Sequence, residues 1–158
     1  MVAAEEGVRV VARNRKARHE YEILEEIEAG IVLVGSEVKS LREGNASFTD
    51  SYARIDDGEI WLHNLHITPY ESAHIDRPDP KRARKLLLHR RQIGRLATAT
   101  AEAGHTLVPL DIHFRKGFAK VNLAVARGKK LHDRREDLKR KAMRREVDRA
   151  VERARRRE

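Results

Sequence analysis

The chain has no cysteine, which excludes disulfides, thiolate nucleophiles and thiolate metal sites. No run approaches the ~18 consecutive apolar residues of a spanning helix, so no membrane span is expected. Aromatic residues make up only 4% of the chain, too few for a long platform on which the bases of a single strand could stack. No P-loop, no Gly-x-Ser-x-Gly elbow and no zinc-type cluster occurs, and an enzyme is not expected. The first residues carry Glu5 and Glu6 where a signal peptide would need basic groups, and no apolar run follows, so a cytoplasmic protein is expected. One further lack is positional: beyond Gly128 there is neither glycine nor proline.

At 158 residues, 40% hydrophobic and 37% charged, the chain suits one domain with one modest core and an appendage. The net charge is +9, and its location is the informative part. Residues 127–158 hold 15 Lys and Arg against 7 Asp and Glu, a net of +8, which leaves +1 for residues 1–126. Within the body, basic residues still cluster. Arg9, Arg13, Arg15, Lys16 and Arg18 form one group, and Arg77, Lys81, Arg82, Arg84, Lys85, Arg90, Arg91 and Arg95 form another. Clustered rather than interspersed charge marks a polyanion binder, and nucleic acid is the commonest polyanion.

The body reads as short strands. HEYEILEEIEAGIVLVG, punctuated by Gly30 and Gly35, predicts two strand segments. SEVKSLREG predicts a short helix capped by Ser36, with Glu37 at its positive end and Gly44 beyond its stop. In SYARIDDGEIWLHNL, Asp57-Gly58 is a two-residue turn signal between alternating strands, hence a hairpin. Ile93, Leu96, Ala97 and Ala101 have helical spacing, and Gly104 ends that helix. TLVPLDIHF and FAKVNLAVA make a second hairpin around RKG, with Leu110, Ile112 and Phe114 alternating on one strand and Val121, Leu123 and Val125 on the other. Many short strands with few helices predict a mainly β fold, a small antiparallel barrel of the oligonucleotide-binding type, whose closure removes exposed edges.

The tail differs. Asp133 and Glu136 have capping-box spacing, and every residue beyond is helix-compatible. Its apolar stripe switches face between Leu138 and Met143, which suits neither docking on the body nor a coiled coil, and a monomer is expected. We expect a barrel domain over residues 1–127 and a basic tail over 128–158, disordered when free and helical against a polyanion.

His63 and His66 are the nearest thing to a metal pair. Three apart on a strand they face opposite ways, and neither a metal nor another cofactor is expected. Glu37, Asp50, Asp56 and Asp57 are accounted for by caps and turns. Features suited to RNA are more numerous. NRKARHEY sets Asn14, Arg15, Lys16 and His19 in one run, where cations fix phosphates while an amide and an imidazole can pair with or stack on splayed bases. KRARKLLLH couples basic residues to Leu86, Leu87 and Leu88. This reads as a buried strand from which one leucine could be exposed to cover a flat base.

The segments NRKARHEYEI, EAGIVLVGSEVKSLREGNASFTDSY, RKLLLHRR, TLVPL, AKVNLAVARGKK and HDRRE, in that order, resemble the small protein B family, the SsrA-binding proteins. The resemblance implies an adaptor that binds the tRNA-like part of transfer-messenger RNA and brings it to stalled bacterial ribosomes for trans-translation. It implies Asn14, His19, Glu28 and Leu87 as RNA contacts, with Arg15, Lys16 and Lys85 in the same motifs. It also implies a tail that reaches the small-subunit decoding centre and messenger channel through Gly128, Lys129, Lys130, His132, Asp133, Arg134 and Arg135. Arg134 stands where the family usually has Lys. A ribosomal protein or assembly factor holding ribosomal RNA is the competing expectation.

Overall fold

The computed structural model describes residues 7–70, 78–129 and 131–156, with the side chains of 131–137 excepted. Its elements run β1 (Val8–Arg13), α1 (Ala17–Glu20), β2 (Tyr21–Ile31), α2 (Gly35–Arg42), β3 (Ala46–Ser47), β4 (Tyr52–Asp56), β5 (Glu59–His63), β6 (His66–Ile67), β7 (Arg84–Leu87), α3 (Arg90–Thr100), β8 (His105–Arg115), β9 (Phe118–Gly128) and α4 (Leu131–Arg156). Six of the seven strands of the main sheet close a ring: β8 pairs with β9, β9 with β2, β2 with β7, β7 with β5, β5 with β4, and β4 returns to β8 at Ala53 and Leu107. Every pairing is antiparallel. β1 occupies the rest of that edge of β8, from Val8 against Arg115 to Arg13 against Asp111, so closure leaves little edge unpaired.

Both expected hairpins form. Asp57 and Gly58 turn at φ of 51° and 75°, and Lys116 and Gly117 at 50° and 82°, the left-handed values a two-residue turn requires. Alternation then fills the barrel: Ile60, Leu62, Leu86, Ile112, Val121 and Leu123 are buried inside. A second cluster of Ala17, Val108, Leu110, Ala124 and Ala126 lies apart from the barrel core, with Tyr21 and Ile23 packed against it. α3 ends at Thr100 and Gly104 has φ of 82°, in keeping with the predicted stop.

Three local expectations are corrected. Residues 21–31 form one strand, not two segments parted at Gly30. Gly30 is instead a point of close approach, opposite both Lys120 and Leu87, where a Cβ would come within 3.1 Å of the Leu87 Cβ. The α2 cap is not Ser36, which lies inside the first turn; the Glu37 carboxylate reaches back and accepts the Val34 N–H at 3.0 Å. In the tail, α4 begins at Leu131, which puts Asp133 within the helix rather than before it.

The tail is helical over 131–156, and all its described side chains, 138–156, are exposed. The root of the tail is held: Gly128 still pairs with Tyr21, and the Lys129 N–H donates to the Glu20 carbonyl at 3.0 Å. Among the described residues, no helix is long and apolar enough to cross a membrane.

Candidate nucleic-acid interface

The barrel register brings distant residues onto one line. Glu28 on β2 lies opposite Asn122 on β9, Asn122 opposite Asp111 on β8, and Asp111 opposite Arg13 on β1. On the other side of β2, Gly30 lies opposite Leu87. Asn14 follows Arg13 and is pinned by two bonds, from its N–H to the Leu110 carbonyl and from Nδ2 to the Pro109 carbonyl, both at 2.8 Å. A band of candidate residues from Leu87 through Glu28 to Asn14 therefore crosses the strands.

The band offers two shallow depressions rather than one. The first, of about 340 Å3, is lined by Glu28, Gly30, Leu87, His89, Gln92 and Lys120 among others. Leu87 is 52% exposed although Leu86 beside it is fully buried, because successive side chains of β7 point to opposite faces. An exposed leucine beside a carboxylate, a lysine and an amide can cover a base while polar groups meet its edge. The second depression, of about 520 Å3, includes Arg13, Asn14, Arg15, Lys16, Tyr21 and Tyr52. Arg15 and Lys16 are exposed there, free to meet phosphates. His19 is half-buried on α1. Tyr52 stacks on His63, with ring centroids 5.1 Å apart.

Glu28 is embedded in a polar chain that the sequence did not reveal. His113 Nε2 is 2.8 Å from Glu28 Oε2, and His113 Nδ1 is 2.8 Å from Asp111 Oδ1. Asn122 Nδ2 donates to Asp111 Oδ2 at 2.8 Å. Arg115 donates to Glu28 Oε2 from Nε at 3.1 Å and Nη2 at 2.9 Å. Burial pushes the Glu28 carboxyl up, but the bonds from Arg115 and His113 outweigh it and hold the group below the ordinary carboxylate value. Only the β8 part of this chain could be read from the strand period: Ile112 and Phe114 face the barrel, so Asp111, His113 and Arg115 share the other face.

The second basic cluster divides in two. Arg84 is fully buried. Its Nε donates to Glu37 Oε2 at 2.6 Å and its Nη2 to the Pro80 carbonyl at 3.0 Å, so it cannot serve as a phosphate contact. Arg82 also pairs with Glu37 and reaches the Val32 carbonyl. Burial pushes Glu37 up, while Arg82, the Val34 N–H and Arg84 together hold it below its ordinary value; burial lowers Arg84 against the pull of Glu37. Lys85 pairs with Glu59 at 3.0 Å at the surface, on the same face of β7 as Leu87. Lys81, Arg90 and Arg91 remain exposed, and Arg77 lies outside the described residues. Of the tail motif, Gly128 and Lys129 are placed at the end of β9. Lys130 and the side chains of His132, Asp133, Arg134 and Arg135 lie outside the described residues. Among the described residues, no group of three or more His, Asp or Glu could hold a metal ion.

A family model described as SmpB protein matches residues 11–153. The SsrA-binding protein of Geobacillus thermodenitrificans is 54% identical over 142 residues, 90% of this chain and 92% of its own. That of Pelotomaculum thermopropionicum is 53% identical over 145 residues, 92% and 95% of the two chains. Among solved structures, a chain described under the words "tmRNA-SmpB: a journey to the center of the bacterial ribosome" superposes with a TM-score of 0.66 at 55% identity. The match covers 76% of this chain and 85% of that one.

Proposed function

The chain belongs to the SmpB protein family, and from that premise we propose that it is a non-catalytic, cytoplasmic RNA-binding adaptor of trans-translation. It binds the tRNA-like domain of transfer-messenger RNA through the barrel and delivers it to stalled ribosomes through the tail. The observation that carries this reading is the match over residues 11–153, which includes the band across the barrel and all but the last turn of the tail helix.

The two parts divide the work by physics. The barrel has almost no net charge, so a few placed groups must supply selectivity: Leu87 covers a base, Glu28 accepts from a base or 2′-OH donor, and Arg15 and Lys16 hold phosphate. Asn14 spends its Nδ2 on the Pro109 carbonyl, and its backbone carbonyl accepts the Ala17 N–H, so its part in the RNA site is to present the Arg15–His19 segment, with the side-chain Oδ1 as the atom for RNA. The tail meets ribosomal RNA by charge. Along α4, Arg140 and Arg144, Lys141 and Arg145, Arg145 and Arg149, and Arg149 and Arg153 are like-charged neighbours four apart, which weakens an isolated helix. A channel lined with phosphate removes that repulsion, so helix formation and binding reinforce each other.

Sequencing the RNA that co-purifies under gentle conditions tests the proposal. One small stable RNA with a tRNA-like end is expected, with loose association to ribosomes. Ribosomal RNA held through high-salt washing would support a ribosomal protein or assembly factor instead.

A further inference from the structure

We propose that His113 is a positioning residue of the RNA site: clasped between Asp111 and Glu28, its ring sets the Glu28 carboxylate, and RNA affinity depends on His113 through Glu28. The proposal rests on Glu28 being an RNA contact.

His113 is 2% exposed, so its effect on a ligand must pass through a neighbour. Both ring nitrogens are engaged by carboxylate oxygens, each at 2.8 Å. The ring is therefore fixed in rotation as well as in place. Asp111 is itself held by Asn122 Nδ2, so β8 and β9 together locate the ring that reaches across to β2. The charged and polar groups around it are Asp111 and Arg115 from β8, Glu28 from β2 and Asn122 from β9, with Lys120 of β9 lining the same depression as Glu28.

A glutamate on a strand face has three rotatable side-chain bonds, and ordering it on binding costs affinity. The clasp orders it beforehand. It also sets N–H dipoles and the Arg115 charge against the carboxylate, which lessens the repulsion a bare anion would exert on approaching phosphates. A purely architectural His113 would stabilise the barrel and touch RNA affinity only through folding.

The test is a double-substitution cycle on the full chain. Affinity is measured at fixed salt for an in vitro transcript of the tRNA-like domain of transfer-messenger RNA, with thermal melting alongside. His113→Ala should lower affinity about tenfold in the parent and less than about twofold in the Glu28→Ala background. His113→Gln, which keeps a donor able to reach Glu28, should recover part of the loss. Should His113→Ala fail to fold, Asp111→Asn decides in its place: removing the carboxylate that anchors Nδ1 should cost about threefold, and nothing further once Glu28 is Ala. Parent-like affinity in a folded variant, or the same loss in both backgrounds, overturns the proposal. If Glu28→Ala itself leaves affinity unchanged, the reading of Glu28 as an RNA contact falls. If Glu28→Ala weakens binding and the His113 and Asp111 variants do not, only the clasp falls.

Discussion

The barrel and the tail are both rich in Lys and Arg, yet the balance between cations and carboxylates differs between them. In the barrel, Arg18, Arg82, Arg84, Lys85, Arg95 and Arg115 each face a carboxylate. From Leu138 to Arg156 the helix has nine basic and three acidic residues, all exposed. Charge that is answered within the fold fixes geometry. Even with Arg156 paired to Glu152 at 2.9 Å, the tail helix carries more cations than carboxylates, and such an excess is available to a partner and governs salt dependence. The same residue type is thus largely spent on ion pairs in one region and largely in excess in the other.

The sharpest way to part the regions is to cut them. Truncation after Lys129, which spares the Gly128 pairing and the Lys129 bond to Glu20, should abolish peptide tagging on stalled ribosomes. RNA affinity should stay within about threefold and melting should barely shift, since the tail buries none of its described side chains. Loss of tagging and RNA binding together would assign the tail to the RNA site. Circular dichroism of a peptide spanning 131–156 should show its helix content rise on adding polyanion.

The next largest effect should come from removing an answered charge. Glu37→Ala strands Arg84 in the interior and should cost about 3–5 kcal/mol of stability by denaturant melting. The pH dependence has a definite sign. Because Glu37 lies below its ordinary value of 4.5 in the folded state, its contribution is full above that value and is lost as pH falls below it. The parent should therefore lose stability in acid more steeply than Glu37→Ala; parallel acid profiles would mean that the buried pair is not what acid breaks.

A smaller effect is expected at the band. Leu87→Asp should weaken RNA binding by about 1–3 kcal/mol while leaving melting unchanged, because the leucine is half exposed already. Smallest is the surface. Replacing Arg15 and Lys16 together by Ala should reduce the slope of log affinity against log salt by about 1.4–1.8, whereas Arg18→Ala, which only breaks the exposed pair with Glu26, should cost about 0–1 kcal/mol of stability.

Local pattern was enough for much of this. The two hairpins follow from turn residues and period-two alternation, the end of α3 follows from Gly104, and the exposure of one leucine in KRARKLLLH follows from the strand period. The burial of Arg84 did not follow. A basic run looks alike whether its members face water or a carboxylate 47 residues away, and only chain closure decides which. Gly30 misled for a related reason: a glycine that admits a neighbouring strand and a glycine that ends a strand are the same letter.

By itself the sequence determined the family, the strand periods, the turns and the uneven division of charge, because each depends on residues close together along the chain or on composition. The tertiary structure decided which cations are spent inside the fold, that Leu87, Glu28 and Asn14 lie in one band, and that His113 stands between Glu28 and Asp111. Glu28 and His113 are 85 residues apart. Their meeting is set by how β2 registers against β9 and β9 against β8, a long-range choice made by burying Ala29, Ile112, Val121 and Leu123 together, and no local pattern carries it.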